Sequence, residues 1–270
     1  MNNNYLLKSR AVIALLLCSS WHIDAQEPAA YSALDLINGS GINISTSAVL
    51  YNNLTIQHNG KDYLKSIGLP SFVANAIYHQ RVTTGFAINI GVGLSIVPQN
   101  IFFNFLCTLP EPYEEERHYK IFDRYYGLVM GEIPISFQKI YPIRSNATRP
   151  MFASFELGFK YNFVVDYAFY ITSYLDAIGD SGVFIFHQWH EPVRTSLESY
   201  FFKCGIIRIS RGDKIMQYNF VFNYSPKDII GGSYVFENLP FESHGSVSQG
   251  INYIGFEFSY GLIRKKQKSI

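Results

Sequence analysis

The sequence lacks any long apolar run that could cross a membrane as a helix. Beyond the N-terminal region, no segment offers the roughly 18 uninterrupted apolar residues that such a helix needs. Charge is also scarce, because charged residues make up 16% of the 270 residues and the formal net charge is +1. Neither sign dominates, so a basic surface for nucleic acid is excluded, and so is an acidic tail.

Cysteine is equally rare, with three residues at positions 18, 107 and 204. Cys18 lies in an apolar run, AVIALLLC, that follows Lys8 and Arg10 and reads as an export signal. We predict a signal peptide over 1–25, a lead-in over 26–41 and loss of Cys18 on cleavage. An N-terminal membrane anchor is the alternative, but this apolar run is too short to span a bilayer. The two remaining cysteines do not make a disulfide framework.

Aromatic residues, in contrast, are abundant, with 20 Tyr and 22 Phe, and their spacing is regular. In the segment 151–175, MFASFELGFKYNFVVDYAFYITSYL, nearly all odd positions are apolar or aromatic, whereas the even positions include Glu156, Lys160 and Asp166. Period two is typical of a strand with one apolar and one polar face. A strand of this length, longer than the roughly 9 to 11 residues that cross a bilayer, predicts a barrel with lipid outside and polar groups inside.

The same alternation recurs along the chain and predicts eight strands. They cover 42–50, 71–82, 86–96, 125–140, 151–175, 197–210, 215–224 and 251–263. Short connections at 83–85, 141–150 and 211–214 alternate with long polar loops at 59–70, 107–123, 176–196 and 225–250. This order is that of outer-membrane barrels, which have short periplasmic turns and longer external loops. We therefore predict an all-β fold, an eight-stranded antiparallel up-and-down transmembrane β-barrel over 42–263, followed by a C-terminal tail over 264–270.

Three strands carry a resemblance to a known family. They contain EIPISF at Glu132–Phe137, FELGFKY at Phe155–Tyr161 and YIGFEFSYGL at Tyr253–Leu262. Over about residues 40–263 the chain resembles outer-membrane β-barrel proteins of the PorT type. The resemblance implies an eight-stranded barrel in the outer membrane of a Gram-negative cell, and it supplies no catalytic residues.

Five charged residues fall on the polar parity of the predicted strands and are expected inside the barrel. They are Glu132, Glu156, Lys160, Lys203 and Glu257. The interior of an eight-stranded barrel is just wide enough for side chains to fill, so an open pore is not expected. Because buried ionic groups must be paired, we interpret these residues as a mutually neutralising network that fills the lumen; a polar relay or gated path is the alternative.

Histidines in the predicted loops are the only other candidates for chemistry. The cluster HQWHE places His187, His190 and Glu191 together, as metal ligands or, with a serine such as Ser181, as a hydrolase site. A zinc helix needs H-E-x-x-H instead, so we predict no metal and no cofactor here. His244, which has Glu242, Ser243 and Ser246 nearby, suggests an acyltransferase or deacylase site, but neighbours in a loop seldom form a nucleophile–base pair.

The sequence thus predicts a non-enzymatic barrel in the outer membrane. Outer-membrane lipid is its expected surrounding, and proteins of an envelope or secretion complex are its expected partners, with no nucleic acid among them. It would serve as an envelope anchor, a surface-recognition element or an accessory subunit, with its long loops as the recognition surface. The alternatives are a lipid-modifying barrel enzyme that uses a loop histidine and a soluble secreted β-barrel.

Overall fold

The computed structural model describes residues 39–265 except 84, 110, 112, 145–149, 168–169, 179–180 and 211–213. The predicted signal peptide, residues 26–38 of the lead-in and residues 266–270 of the tail lie outside them. The described residues form thirteen named strands and no helix able to cross a membrane. The strands are β1 Ser40–Tyr51, β2 Thr55–Gly60, β3 Pro70–Thr83, β4 Phe86–Thr108, β5 Glu116–Arg144, β6 Met151–Tyr167, β7 Tyr170–Ile178, β8 Ser181–Pro192, β9 Ser196–Ile209, β10 Ile215–Tyr224, β11 Asp228–Phe236, β12 Ser243–Gly250 and β13 Tyr253–Lys265.

Eight of these strands close into a barrel in the order β1-β13-β10-β9-β6-β5-β4-β3, in which every neighbour is antiparallel. Each barrel strand lies beside the preceding barrel strand in the chain, and the pairing of β13 with β1 closes the ring. This is the predicted up-and-down topology. Closure leaves no open edge, which a sheet in hydrocarbon requires.

The two faces of the barrel wall differ as the period-two pattern predicts. Phe159, Phe220 and Phe256 point outward and are 43%, 40% and 72% exposed. Their polar neighbours on the other parity are buried. An apolar outer surface on a closed antiparallel barrel is the form that membrane-spanning barrels take, and the predicted fold class is confirmed.

Two buried apolar clusters lie toward the two ends of the barrel. At the end with the described termini, Ile140, Phe152, Ile207, Ile209 and Ile215 pack together inside the wall. At the opposite end, which we call the apical end, a larger buried cluster spans the mouth. Its members include Val49, Tyr51, Val97, Leu128, Met130, Leu197, Val221, Ile229, Ile230, Ile251 and Tyr253.

Three of the four long connections are not the polar loops predicted, whereas residues 61–69 of the 59–70 segment lie between β2 and β3 outside any named strand. The segment 107–123 is mostly strand, since β4 reaches Thr108 and β5 begins at Glu116. The segments 176–196 and 225–250 hold β8, β11, β12 and the end of β7, while β2 reaches into the 59–70 segment. Together these strands make a five-stranded sheet in the order β2-β12-β11-β8-β7. Their inward side chains are apolar enough to build a second core, which explains why they are ordered into a sheet.

That second core lies between the five-stranded sheet and the part of the β4–β5 hairpin that extends past the barrel. We call this two-layered unit the apical sandwich. From Gln99 to Thr108, β4 pairs with β5 and no longer with β3, and Phe102 also forms an isolated bridge with Lys65. Phe103 packs edge-on against Phe186 and Phe236 of the opposite layer, with ring centroids 5.1 and 5.2 Å apart. Many of the aromatic residues that do not face outward from the barrel therefore belong to this core.

We predicted a single strand over 151–175, but the structure shows two. β6 ends at Tyr167 and β7 begins at Tyr170, and β7 belongs to the five-stranded sheet. The break leaves the barrel with eight strands because the chain moves to another sheet before it returns as β9. Residues 141–144, predicted as a turn, instead extend β5 to Arg144.

Candidate functional site

The lumen of the barrel holds all five charged residues that the sequence assigns to it. Glu132, Glu156, Lys160, Lys203 and Glu257 are each at most 5% exposed. Each stands on the inner parity of β5, β6, β9 or β13, so the strand register brings together residues that are far apart in the chain. They form two ion-pair groups on the wall.

The first group is centred on Lys203. Its Nζ lies 2.9 and 3.1 Å from the two carboxylate oxygens of Glu257 and 3.8 Å from Glu156 Oε2. The Asn219 amide donates to Glu257 Oε1 at 2.9 Å, and the Ser136 hydroxyl donates to Glu156. Two carboxylates therefore share one ammonium, and neutral donors satisfy additional oxygens, which is what buried charges need.

The second group is centred on Lys160. Its Nζ donates to Glu132 Oε2 and to the hydroxyl oxygen of Tyr253, both at 2.6 Å. Lys160 and Lys203 also flank one buried ring, since their Nζ atoms lie 5.6 and 5.2 Å from the centroid of Phe201. Cation–π attraction to this ring supports both buried cations.

Uncharged polar side chains connect the rest of the interior. Gln217 donates to Ser154 and Asn219, and Asn162 donates to Ser199, which in turn donates to Asn223. These are filled positions of a packed lumen, with apolar clusters beyond them at both ends. The arrangement is suited to holding the barrel together.

Sequence reasoning missed Tyr253 and Phe201 as members of the lumenal network. Both are aromatic, and aromatics were expected on the lipid side. Parity alone would have found both, because Phe201 shares the inner parity of Lys203 on β9 and Tyr253 shares that of Glu257 on β13.

The HQWHE cluster lies on strand β8 and not in a loop. His190 is buried against the sandwich core, whereas His187 and Trp189 lie on the outward face, so the two histidines cannot converge on one ion. The His187 ring accepts or donates a 2.7 Å hydrogen bond with the hydroxyl of Ser173, its cross-strand partner. In the part of the chain that the structure describes, no three His, Cys, Asp or Glu side chains gather as a metal site.

His244 lies on β12, also outside any loop. Its Nε2 is 2.8 Å from the amide nitrogen of Asn59, and its Nδ1 is 3.8 Å from Glu242. The serine that precedes it, Ser243, is buried and donates to the carbonyl of Lys61 on the other side of the sheet. The structure therefore does not bring Ser243 and His244 together as nucleophile and base.

Burial in the apical sandwich shifts the titration of several groups. It lowers the pKa of His190 to about 4, an effect that the negative charge of Asp123 opposes. It raises the pKa of the Tyr119 and Tyr234 hydroxyls above their ordinary value. Hydrogen bonds with Glu115 and Asp176 raise the pKa of Arg117, whose Nη1 lies 3.1 Å from Asp176 of β7. His190 is consequently neutral at physiological pH.

Three solved structures are similar to this chain. Outer membrane protein OprG from Pseudomonas aeruginosa has 11% identity and a TM-score of 0.35, with 82% of this chain and 95% of that chain covered. Neisserial surface protein A has 9% identity and a TM-score of 0.32, with 81% and 97% covered. The CymD monoaromatic hydrocarbon channel has 7% identity and a TM-score of 0.17, with 86% and 91% covered.

TM-scores of this size are too low to support an argument about fold or function, so the assignment of fold rests on the strand pairing itself. No family model matches the sequence. No curated protein matches it either.

Proposed function

We propose that this protein is a non-enzymatic barrel of the Gram-negative outer membrane that anchors the apical sandwich on the cell surface as a recognition element. The observation that carries the proposal is the combination of a lumen filled with buried, paired side chains and a folded unit at one mouth. A barrel whose interior is packed has no transport path, whereas an ordered sandwich provides a fixed surface for a partner.

Orientation follows from the position of the termini. The described ends of β1 and β13 and the short connections lie at one end, and all the apical strands lie at the other. In outer-membrane barrels the end with the short turns is periplasmic. The apical sandwich would then face outward, where it can act as an anchor, a surface-recognition element or an accessory subunit of an envelope or secretion complex.

Cysteine labelling on intact cells tests this proposal. In a background with Cys107 and Cys204 replaced by Ser, we expect Tyr113→Cys, in the exposed β4–β5 turn, to react with a membrane-impermeant maleimide. The matched variant Lys214→Cys, in an exposed short connection at the other end, should react only after the cells are opened. Labelling in the reverse order, or recovery of the protein in the soluble fraction, would contradict the proposal.

One contact favours a lipid-modifying enzyme as the second candidate. Ser173 and His187 lie within hydrogen-bond distance on an accessible face, as a nucleophile and its base would. The test compares the lipid A and phospholipid composition of cells with and without the wild-type protein. An enzyme would produce a difference, and Ser173→Ala and His187→Ala would each abolish it. We expect no difference, because the proposed role is to hold a recognition surface on the cell.

A further inference from the structure

The outward face of the five-stranded sheet carries two rows of side chains that the lumenal network and the sandwich core do not use. Cross-strand pairing aligns the first row from β2 to β7 as Asn59, His244, Val235, His187 and Ser173. It aligns the second row as Gln57, Ser246, Ser233, Trp189 and Ile171. We call these ten positions the polar sheet face.

This face is open to solvent, and its ten positions carry no formal charge, while the exposed carboxylates of Glu242, 3.8 Å from His244, and of Glu191, two positions after Trp189 on β8, border it. Trp189 is 37% exposed and Ile171 53% exposed, near one edge of the sheet. The two rows contain amides, hydroxyls and imidazoles but no Lys, Arg, Asp or Glu. Nucleic acids and phosphorylated headgroups would need cations, so neither fits a surface of this composition.

Hydrogen bonds within the face hold its polar groups in place. Asn59 bonds His244 at 2.8 Å, Ser246 donates to Gln57 at 3.4 Å, and Ser173 bonds His187 at 2.7 Å. These bonds use the Asn59 amide nitrogen, the Gln57 amide oxygen and His187 Nδ1, so the Asn59 amide oxygen, the Gln57 amide nitrogen and the other His187 ring nitrogen are left for a ligand. Neighbouring strands lie about 4.8 Å apart, so the rows extend roughly 19 Å and offer donors and acceptors at a regular spacing.

A neutral oligosaccharide matches these properties. Its hydroxyls both donate and accept hydrogen bonds, as amides, serines and histidines require, and the apolar C–H side of a sugar ring stacks on an exposed indole. A protein partner would instead need a centre of large apolar side chains, whereas the centre of this face consists of Ser233 and Val235, one polar and one apolar residue, both small.

We propose that the polar sheet face binds a neutral oligosaccharide, with Trp189 as the stacking platform and Gln57, Asn59 and His244 as hydrogen-bonding groups. The proposal rests on the surface-recognition role and names the class of its ligand. The ligand is a neutral chain from outside the membrane. It is not the phosphorylated inner region of lipopolysaccharide, for which the face provides no cation.

Isothermal titration calorimetry on the detergent-solubilised full-length protein tests this inference. The probes are neutral hexaoses built from glucose, xylose, mannose or N-acetylglucosamine, with an alginate hexaose and lipopolysaccharide lacking its outer sugar chain as anionic comparisons. We expect at least one neutral hexaose to bind and neither anionic probe to bind. Gln57→Ala and Trp189→Ala should each weaken binding by about tenfold, the loss of one stacking or hydrogen-bonding contact.

Tyr113→Ala is the matched control, because it removes an exposed aromatic side chain from the β4–β5 turn, away from the polar sheet face. It should bind as the wild type does. The inference is overturned if no neutral hexaose binds, if an anionic probe alone binds, or if Trp189→Ala binds unchanged. Heat-modifiable gel mobility establishes that each variant is folded. The surface labelling of Tyr113→Cys is independent of these titrations, so the recognition role and its ligand class can fail separately.

Discussion

Replacing Lys203 by Met removes the cation that two buried carboxylates share. Lys203 lies within 3.1 Å of both oxygens of Glu257 and 3.8 Å from Glu156, and it is 3% exposed. Removal of one partner from a buried ion pair typically costs about 3 to 5 kcal/mol, because the remaining charge is left in a medium of low polarity. Asn219 keeps its hydrogen bond to Glu257 and relieves part of this cost. We therefore expect Lys203→Met to lower the free energy of unfolding by about 4 kcal/mol.

Urea titration in phospholipid vesicles measures this loss, with the folded fraction read from the gel mobility of unheated samples. The double variant Lys203→Met/Glu257→Gln should recover more than about 1 kcal/mol relative to Lys203→Met, since it removes the nearest uncompensated charge. Lys139→Met is the matched control on the outer surface and should stay within about 0.5 kcal/mol of the wild type. A Lys203→Met variant that unfolds at the same urea concentration as the wild type would refute the paired lumen.

Two further predictions concern the apical sandwich and the wall. Burial lowers the pKa of His190 to about 4. Between about pH 6.5 and 4 the unfolded chain therefore binds a proton at this histidine that the folded chain does not. As the pH is lowered through this window, the free energy of unfolding should fall by roughly 3 kcal/mol, at about 1.4 kcal/mol per pH unit. Trp189 fluorescence during urea unfolding at several pH values reports this loss, and His190→Gln, if folded, should remove it; an equal decline in both proteins would contradict the explanation. A Cβ at Gly205 would lie 1.9 Å from the Tyr218 carbonyl oxygen, whereas one at Gly182 would meet nothing within 4 Å. Gly205→Ala should therefore cost about 1 to 3 kcal/mol in the vesicle assay and Gly182→Ala almost nothing, and equal stabilities would count against this packing.

The barrel could be predicted from the sequence because lipid imposes a strict pattern on every strand. Along β10, more exposed residues such as Phe220 alternate with buried ones such as Asn219, and neighbouring barrel strands in the chain are neighbours in the wall. The five lumenal charges follow from the same parity. Which charges pair with each other does not follow from parity. The ion pair of Lys203 with Glu257 depends on how far each side chain reaches inside the lumen.

The apical sandwich could not be predicted in the same way. Its strands have a polar outer face and an inner face that mixes aromatics with Gln188 and His190, so they resemble loops in composition. Their pairing is also distant in sequence: His58 on β2 bonds Tyr234 on β11, 176 positions away. The end of β6 could not be predicted for a different reason. Odd-numbered apolar residues such as Val165 and Ile171 are exposed on both sides of the break, so the sequence pattern continues across it.

Brominated lipids provide the most direct measurement of which side of the wall faces hydrocarbon. In a background with both native tryptophans replaced by Phe, a single Trp is introduced at Phe256, which is 72% exposed, or at Tyr253, which is 4% exposed on the inner parity of the same strand. In vesicles of dibrominated phosphatidylcholine, we predict strong quenching of Phe256→Trp fluorescence and little quenching of Tyr253→Trp. Equal quenching at the two positions, or stronger quenching of Tyr253→Trp, would contradict a barrel with hydrocarbon outside and its charges sealed within.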